Sequence, residues 1–433
     1  MSKQSARAVA WGALKYWDVR GGHLSDVLSR ALTGIDMAPN DRRMCQELVF
    51  GVVRWQRWLD HVAAGYMTKK PGLPLRNLIR LGAYQLLFMD AAMPVHAAVH
   101  ETVGVAREVG LGRLSGVTNA VLRKIAASVE DWSNRRRSLE TTDPGLALSH
   151  PDLLVDRWRS WMPEDRVLAL MRANNESAAV FLRINTLRVA PEEAHAALLG
   201  EGIPFEGFGR HALVIRLGRG FGVLEDLPGF FDGWFYVQDP STLEPVDVLD
   251  PRPGEKVLDL CSAPGGKTTY MAQMMEDRGE IVAVDVDARR LDRLRQNCER
   301  LGVNCVQPLL WDPHADALTD LLDEQRFDAV LVDVPCSNTG VIRRRPEVRW
   351  RLEASSWDDL EQTQTRLLQL AADQVRPGGR LVYSTCSVEW EENQGRVEAF
   401  LRKQARWRKM DSKLVSGWEN GHDSGFYCCL NRD

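Results

Sequence analysis

Three regimes of hydrophobic patterning succeed one another along the 433 residues. In the first, apolar side chains recur at helical spacing. Leu75, Leu78, Ile79, Gly82 and Leu86 follow the i, i+3, i+4 rhythm of one buried helical face. Residues 95–103, with Pro94 placed near their start, predict another helix, and residues 118–125 a third. No alternating β-branched run interrupts the first 130 residues, so an all-α domain is expected over 1–135. Arg135-Arg136-Arg137 through Pro144-Gly145 reads as a polar linker.

Residues 146–235 mix periods: two helices, a strand at 180–185, a helix at 191–199 and a strand at 212–217. So small an α+β module buries little by itself and is expected to pack on the C-terminal part of the chain. From residue 236 to 433 strands and helices alternate. Strands are expected at 257–260, 280–285, 304–310 and 327–332. A long helix at 356–375 is followed by Pro377-Gly378-Gly379 and a fifth strand, and strands near Arg408 and Phe426 close the sheet. The prediction is an α/β fold with a mostly parallel, seven-stranded, Rossmann-like sheet, preceded by the helical domain and the small α+β module.

Composition changes little in this picture; charge changes more. Hydrophobic residues make up 44% and charged residues 26%, the range of a globular protein, and the formal net charge is -4. Residues 1–150, however, carry 20 Lys and Arg against 13 Asp and Glu, leaving 35 against 46 for the rest. A basic module joined to an acidic one points to a polyanionic partner met by the N-terminal part. No apolar run reaches the ~20 residues of a membrane span. The N-terminal stretch lacks a signal-peptide pattern, so a cytoplasmic protein with no membrane partner is expected. Eight cysteines with no Cys-x-x-Cys pair exclude a disulfide framework and argue against structural zinc.

Two strand ends carry the candidate chemistry. Cys336 lies in Asp333-Val334-Pro335-Cys336-Ser337 after one strand, and Cys386 in Tyr383-Ser384-Thr385-Cys386-Ser387 after the next. Adjacent strands of an open α/β sheet deliver their C-terminal ends to one crevice, so two thiols there suggest thiol chemistry on a substrate. A strand-end cysteine alone reads more simply as a small buried hydrophobe; two in paired motifs favour chemistry.

The turn Asp259-Leu260-Cys261-Ser262-Ala263-Pro264-Gly265-Gly266-Lys267-Thr268 links strand to helix. It is neither a Walker A loop, since Cys261 stands where that loop needs glycine, nor the dinucleotide fingerprint. What remains is a nucleoside site: Cys261 through Lys267 as the loop, Asp285 accepting from ribose hydroxyls, and Asp312 within reach of an adenine amino group. That set suits S-adenosylmethionine. Taken alone, Asp312 is as readily a strand-end cap.

Ser262–Lys267, Asp333–Ser337 and 384–387 resemble motifs of RNA cytosine-5 methyltransferases. Residues 95–103 and 119–123 are similar to the NusB-like RNA-binding domain. Together they resemble the Sun/Fmu-type bacterial small-subunit (16S) ribosomal RNA methyltransferases over nearly the whole chain. Gln238-Asp239-Pro240-Ser241-Thr242 and Asp423-Ser424-Gly425-Phe426-Tyr427 depart from the family's patterns. The resemblance implies methylation of cytidine C5 with S-adenosylmethionine, through a covalent bond from Cys386 to C6. Cys336 would assist elimination and product release, Asp333 would contact N3 or lie between base and cofactor, and Lys267 would steer the base or stabilise the thiolate electrostatically. It further implies an RNA entrance shaped by Arg183 and Asn185; apart from the resemblance, no metal and a monomer are expected. The basic run Arg343-Arg344-Arg345, with Arg349-Trp350-Arg351, is expected to contact RNA. Two other readings remain: a transfer-RNA cytosine-5 methyltransferase, and a non-catalytic RNA-binding assembly factor. An amino-methylating enzyme is disfavoured because no Asn/Asp-Pro-Pro-Tyr/Phe motif follows the fourth strand.

Overall fold

A side chain at position 82 would close the gap on which the helical half is built: a Cβ there would lie 2.3 Å from the Leu122 side chain. Helix Leu73–Phe88 therefore meets helix Ser115–Ala126 through a glycine. Around this contact, helices Ala6–Arg20, Pro39–Ala64 and Val95–Glu108 add Leu14, Leu48, Val52, Trp58, Val99 and Val105 to Leu78 and Ile79 in one apolar core. The computed structural model describes residues 4–89, 93–209, 211–218, 220–313, 317–322 and 325–433. The chain forms two units, residues 1–175 with 345–351, and residues 176–344 with 352–433. No helix among the described residues is long and apolar enough to cross a membrane.

The first unit corrects two expectations. Residues 135–142 are not linker but part of helix Val129–Thr142. Only Trp132 of that helix is buried, so the apolar rhythm that marks a helix is missing. Trp132 Nε1 donates to the Tyr66 hydroxyl at 2.9 Å, and the Arg136 guanidinium lies 5.2 Å from the Trp55 ring centroid. Those contacts substitute for an apolar stripe. The second correction concerns Arg349 and Trp350. Arg349 is buried and donates to the carbonyls of Ser149 and Asn174 and to Asn175 Oδ1, at 2.9–3.1 Å. Trp350 Nε1 donates to the Val53 carbonyl. Both are committed inside the unit, not presented to RNA.

The second unit begins with an antiparallel sheet of β1 (Phe181–Ile184), β2 (Phe205–Phe208), β3 (His211–Leu217) and β4 (Phe235–Val237), in the order β2-β3-β1-β4. The sequence pattern showed β1 and β3 but not the short β2 and β4. Helix Pro191–Gly200 covers one face through Ala194 and Leu198. Phe181 and Val214 turn the other way, into the core of the larger sheet, as so small a module requires.

That larger sheet comprises β5 (Lys256–Leu260), β6 (Glu280–Asp285), β7 (Val306–Leu310), β8 (Phe327–Asp333), β9 (Val375–Thr385), β10 (Trp407–Val415) and β11 (Gly425–Arg432), ordered β10-β11-β9-β8-β5-β6-β7. The five strands β5 to β9 run parallel, while β11 is antiparallel to β9 and to β10. Each strand feeds both helical layers by the period-two rule. Ile281, Leu331, Val382 and Cys429 enter one core; Val282, Val332, Leu381 and Cys428 enter the other. Cys428 and Cys429 thus point apart. In a sheet so ordered, the ends of β5, β6, β8 and β9 converge on one crevice.

Candidate active site

The turn after β5 is held by backbone geometry that few residues accept. Gly265, the residue before helix Gly266–Met274, has φ +102°, a conformation for which glycine is suited. The Asp285 carboxylate at the end of β6 accepts from Ala263 N–H at 3.1 Å and from Asp287 N–H at 3.0 Å. Arg290 lies 3.6 Å from the same carboxylate. Behind the loop, Thr268 donates to Asp259 at 2.6 Å, and the other Asp259 oxygen is buried without a hydrogen-bond partner. Burial pushes the Asp259 carboxyl up to about 7 against that Thr268 bond, with Asp333 and Asp285 adding repulsion. Burial and the same carboxylates raise the Cys261 thiol, which makes it no nucleophile. Three carboxyls around one glycine turn, one with a free oxygen, suit a nucleoside ligand that also carries cationic groups. S-adenosylmethionine, with a sulfonium and an ammonium, is such a ligand. Asp312 is exposed just beyond β7, whose register neighbour is β6.

Asp333 and Ser384 are register partners on β8 and β9, and Ser384 Oγ donates to Asp333 Oδ1 at 2.7 Å. Lys267 Nζ reaches the other carboxylate oxygen at 2.7 Å. Burial alone would lower Lys267; the charge and hydrogen bond of Asp333, with charge at Cys386 and Asp259, hold it above its ordinary value. Lys267 is therefore an ammonium fixed at the crevice floor.

The two thiols meet beside this pair: Cys336 Sγ and Cys386 Sγ are 3.1 Å apart, and both are free. Cys386 donates to Asn338 Oδ1 at 3.1 Å, while Asn338 Nδ2 donates to the Cys336 carbonyl. Asn338 has φ +62°, a left-handed conformation that asparagine tolerates better than most residues. The hydrogen bond with Cys386, burial, and the Glu392 carboxylate push the Cys336 thiol well above its ordinary range. Cys336 is therefore held as a thiol.

Glu392, which the sequence reading did not single out, holds the two cysteine loops together. Its Oε2 accepts from Ser337 N–H and Gln364 Nε2, each at 2.9 Å, and its Oε1 from Ser387 Oγ at 2.8 Å. Asn393 adds a bond from Nδ2 to the Ser387 carbonyl. Gly340 N–H donates to the Cys386 carbonyl, and a Cβ at 340 would lie 2.3 Å from the Ser424 carbonyl oxygen. Glu392→Gln points an amide donor at groups that themselves donate. The expected result is a loss of about 1–3 kcal/mol in denaturant unfolding, with a lower kcat as the thiol spacing relaxes. Unchanged stability and kcat would remove this role.

The crevice gathers Lys267, Asp285, Asp333, Cys336 and Cys386, and it excludes two residues expected at an RNA entrance. Arg183 is buried, donating to Gln238 Oε1, the Gly266 carbonyl and Thr269 Oγ1 between the rings of Tyr236 and Tyr270. Asn185 is likewise buried, donating to the Gly233 and Leu301 carbonyls. They brace the glycine turn and the α/β packing from behind. Of the basic run, Arg344 is engaged with Asp239 and Asp423, and Arg343 is buried near Glu176. Asp239 and Asp423, from the 238–242 and 423–427 motifs, are thus joined through Arg344 in an internal ionic lock.

Comparison with known proteins agrees with this architecture. A family profile described as 16S rRNA methyltransferase RsmB/F matches residues 246–427. The NusB family matches residues 4–127, and the ferredoxin-like domain of RsmF/B-like methyltransferases matches 150–223. The chain is 34% identical to the probable ribosomal RNA small subunit methyltransferase B of Synechocystis sp., over 98% of this chain and 96% of that protein. It is 35% identical to ribosomal RNA small subunit methyltransferase B of Enterobacter sp., over 93% and 91%. The crystal structure of PH0851 superposes with a TM-score of 0.81 at 25% identity, covering 99% of both chains. With helical, small α+β and methyltransferase portions in the order the sequence predicted, the chain belongs to the RsmB/F family of 16S rRNA methyltransferases.

Proposed function

We propose that this protein methylates C5 of a cytidine in 16S rRNA, with S-adenosylmethionine as donor, through a covalent bond between Cys386 and C6 of the base. The observation that carries this reading is the pair of thiols 3.1 Å apart beside the Lys267–Asp333 ion pair. Cytosine C5 is too weak a nucleophile to take a methyl group unaided. Addition of Cys386 forms the S–C6 bond and moves the thiol proton, in net terms, to N3, leaving an enamine with a nucleophilic C5. Asp333 accepts a hydrogen bond from the base at that edge, and Lys267 holds the carboxylate and favours negative charge on Cys386. S-adenosylmethionine bound over the glycine turn supplies an electrophilic methyl group. The C5 proton then leaves to a base, the S–C6 electron pair returns to Cys386, and the proton taken up at N3 is released; Cys336 assists this step. The target nucleotide must be unpaired or flipped to enter. Bisulfite sequencing of 16S rRNA methylated by the purified enzyme tests the reading. One protected cytidine is expected, whereas methyl incorporation without a protected cytidine overturns C5 as the target.

The loop from Cys261 through Lys267, with Asp285 for the ribose, Asp312 for the adenine edge and Asp333 beside the methyl group, forms the proposed cofactor site. Asp285→Ala removes both a ribose acceptor and the anchor of Ala263 N–H. It should weaken S-adenosylmethionine binding by about 1–3 kcal/mol in calorimetry. Unchanged affinity would take Asp285 out of the site.

A further inference from the structure

The helical unit holds a cavity of about 430 Å³ between the end of helix Pro39–Ala64 and the start of helix Leu73–Phe88. That volume falls within the range of small-molecule sites. Its floor is apolar, with Ala63, Met67 and Ile79. Its rim is cationic. Arg80 is neutralised by Asp60 through bonds of 2.6 and 2.7 Å, and Arg57 by Asp152. Lys69, Lys70 and Arg76 also line the cavity, and neither an ion pair nor a side-chain hydrogen bond is found for them among the described residues.

The surrounding backbone strengthens the positive field. Arg76 stands near the start of a 16-residue helix whose first turn holds no acidic residue and whose N-cap, Gly72, offers no side-chain bond. Helix N-termini favour anions, so a cation here is placed against the usual preference. Two polar lining atoms, Arg76 Nε and His61 Nε2, are buried without hydrogen-bond partners. His61 lies against Trp58 and Trp132, and burial keeps its imidazole neutral. Three unpaired cations over an apolar floor, with polar atoms awaiting partners, match a group that is anionic on one side and flat and weakly polar on the other.

We infer that this cavity binds one nucleotide of single-stranded RNA, the phosphates on Lys69, Lys70 and Arg76 and the base against Met67 and Ile79. This rests on the reading that RNA is the substrate, and it assigns the helical unit a specific contact. The test uses the full-length protein and a 16S rRNA fragment, comparing wild type with the triple variant Lys69→Gln, Lys70→Gln, Arg76→Gln. The RNA KM should rise at least tenfold while S-adenosylmethionine affinity and the helical circular dichroism stay as in wild type. The slope of log affinity against log salt should become shallower by about 1.4, at roughly 0.7 for each of the two phosphates that flank the bound nucleotide. Photo-crosslinking from 4-thiouridine in the fragment should label the peptide containing residues 67–80 in wild type only. An unchanged KM and salt slope, or crosslinks confined to other peptides, overturns the cavity assignment. Failure of wild type itself to bind or methylate the fragment would instead overturn the substrate reading.

Discussion

Cys386→Ser is expected to reduce methyl transfer to background and to form no protein–RNA adduct, whereas Cys336→Ala should accumulate one. The asymmetry follows from the pair's geometry. Both sulfurs sit 3.1 Å apart, but Cys336 is buried, hydrogen-bonded to Cys386 and close to the Glu392 carboxylate, all of which keep it protonated. Cys386 is the more open sulfur, at the end of β9 in the crevice that also holds the Lys267 ammonium. Without Cys386 no S–C6 bond forms and C5 stays unactivated. Without Cys336 attack and methyl transfer proceed, but elimination stalls with RNA still attached. The adduct should survive denaturing electrophoresis and require both RNA and S-adenosylmethionine. An adduct from Cys386→Ala instead would reverse the two roles. Full activity in both variants, with no trapped RNA, would end the thiol mechanism.

Where the sequence was informative, the signal was periodic or punctuated. Strand β6 and the helix Ser356–Gln374 fall where the sequence puts them. The thiol pair was legible because each cysteine follows an apolar run, and parallel pairing of β8 with β9 then brings the ends together. Other features were hidden for physical reasons. Helix Val129–Thr142 buries one residue and has no stripe to read. Strands β2 and β4 are three to four residues long, too short for alternation to show. Arg183 and Arg349 defy the expectation because charge in a sequence suggests solvent or a ligand, whereas the terminal nitrogens of both guanidiniums donate to carbonyls and to amide or hydroxyl oxygens of their own unit. Glu392 follows Cys386 by only six residues, yet its role needs three partners from positions 337, 364 and 387, which no linear motif reveals.

Lys267 and Asp333 should behave as one device. Their 2.7 Å ion pair is fixed from below by Ser384, so removing either member releases the other from its position. Asp333→Asn keeps the shape but weakens the acceptor for the protonated edge of the base. Loss of a proton-handling group of this kind costs typically 10²–10⁴-fold in rate, and a drop in kcat of about 10²-fold or more is expected. Lys267→Met leaves Asp333 without its cation and Cys386 without a neighbouring positive charge, and a loss of similar size is expected. The double variant should then be scarcely worse than the poorer single one, because residues acting as a unit are not additive. Single-turnover kinetics at saturating RNA and S-adenosylmethionine separates this loss from binding. Multiplicative losses in the double variant would show that the two residues act independently, and a kcat near wild type in Asp333→Asn would remove its carboxylate from the chemistry.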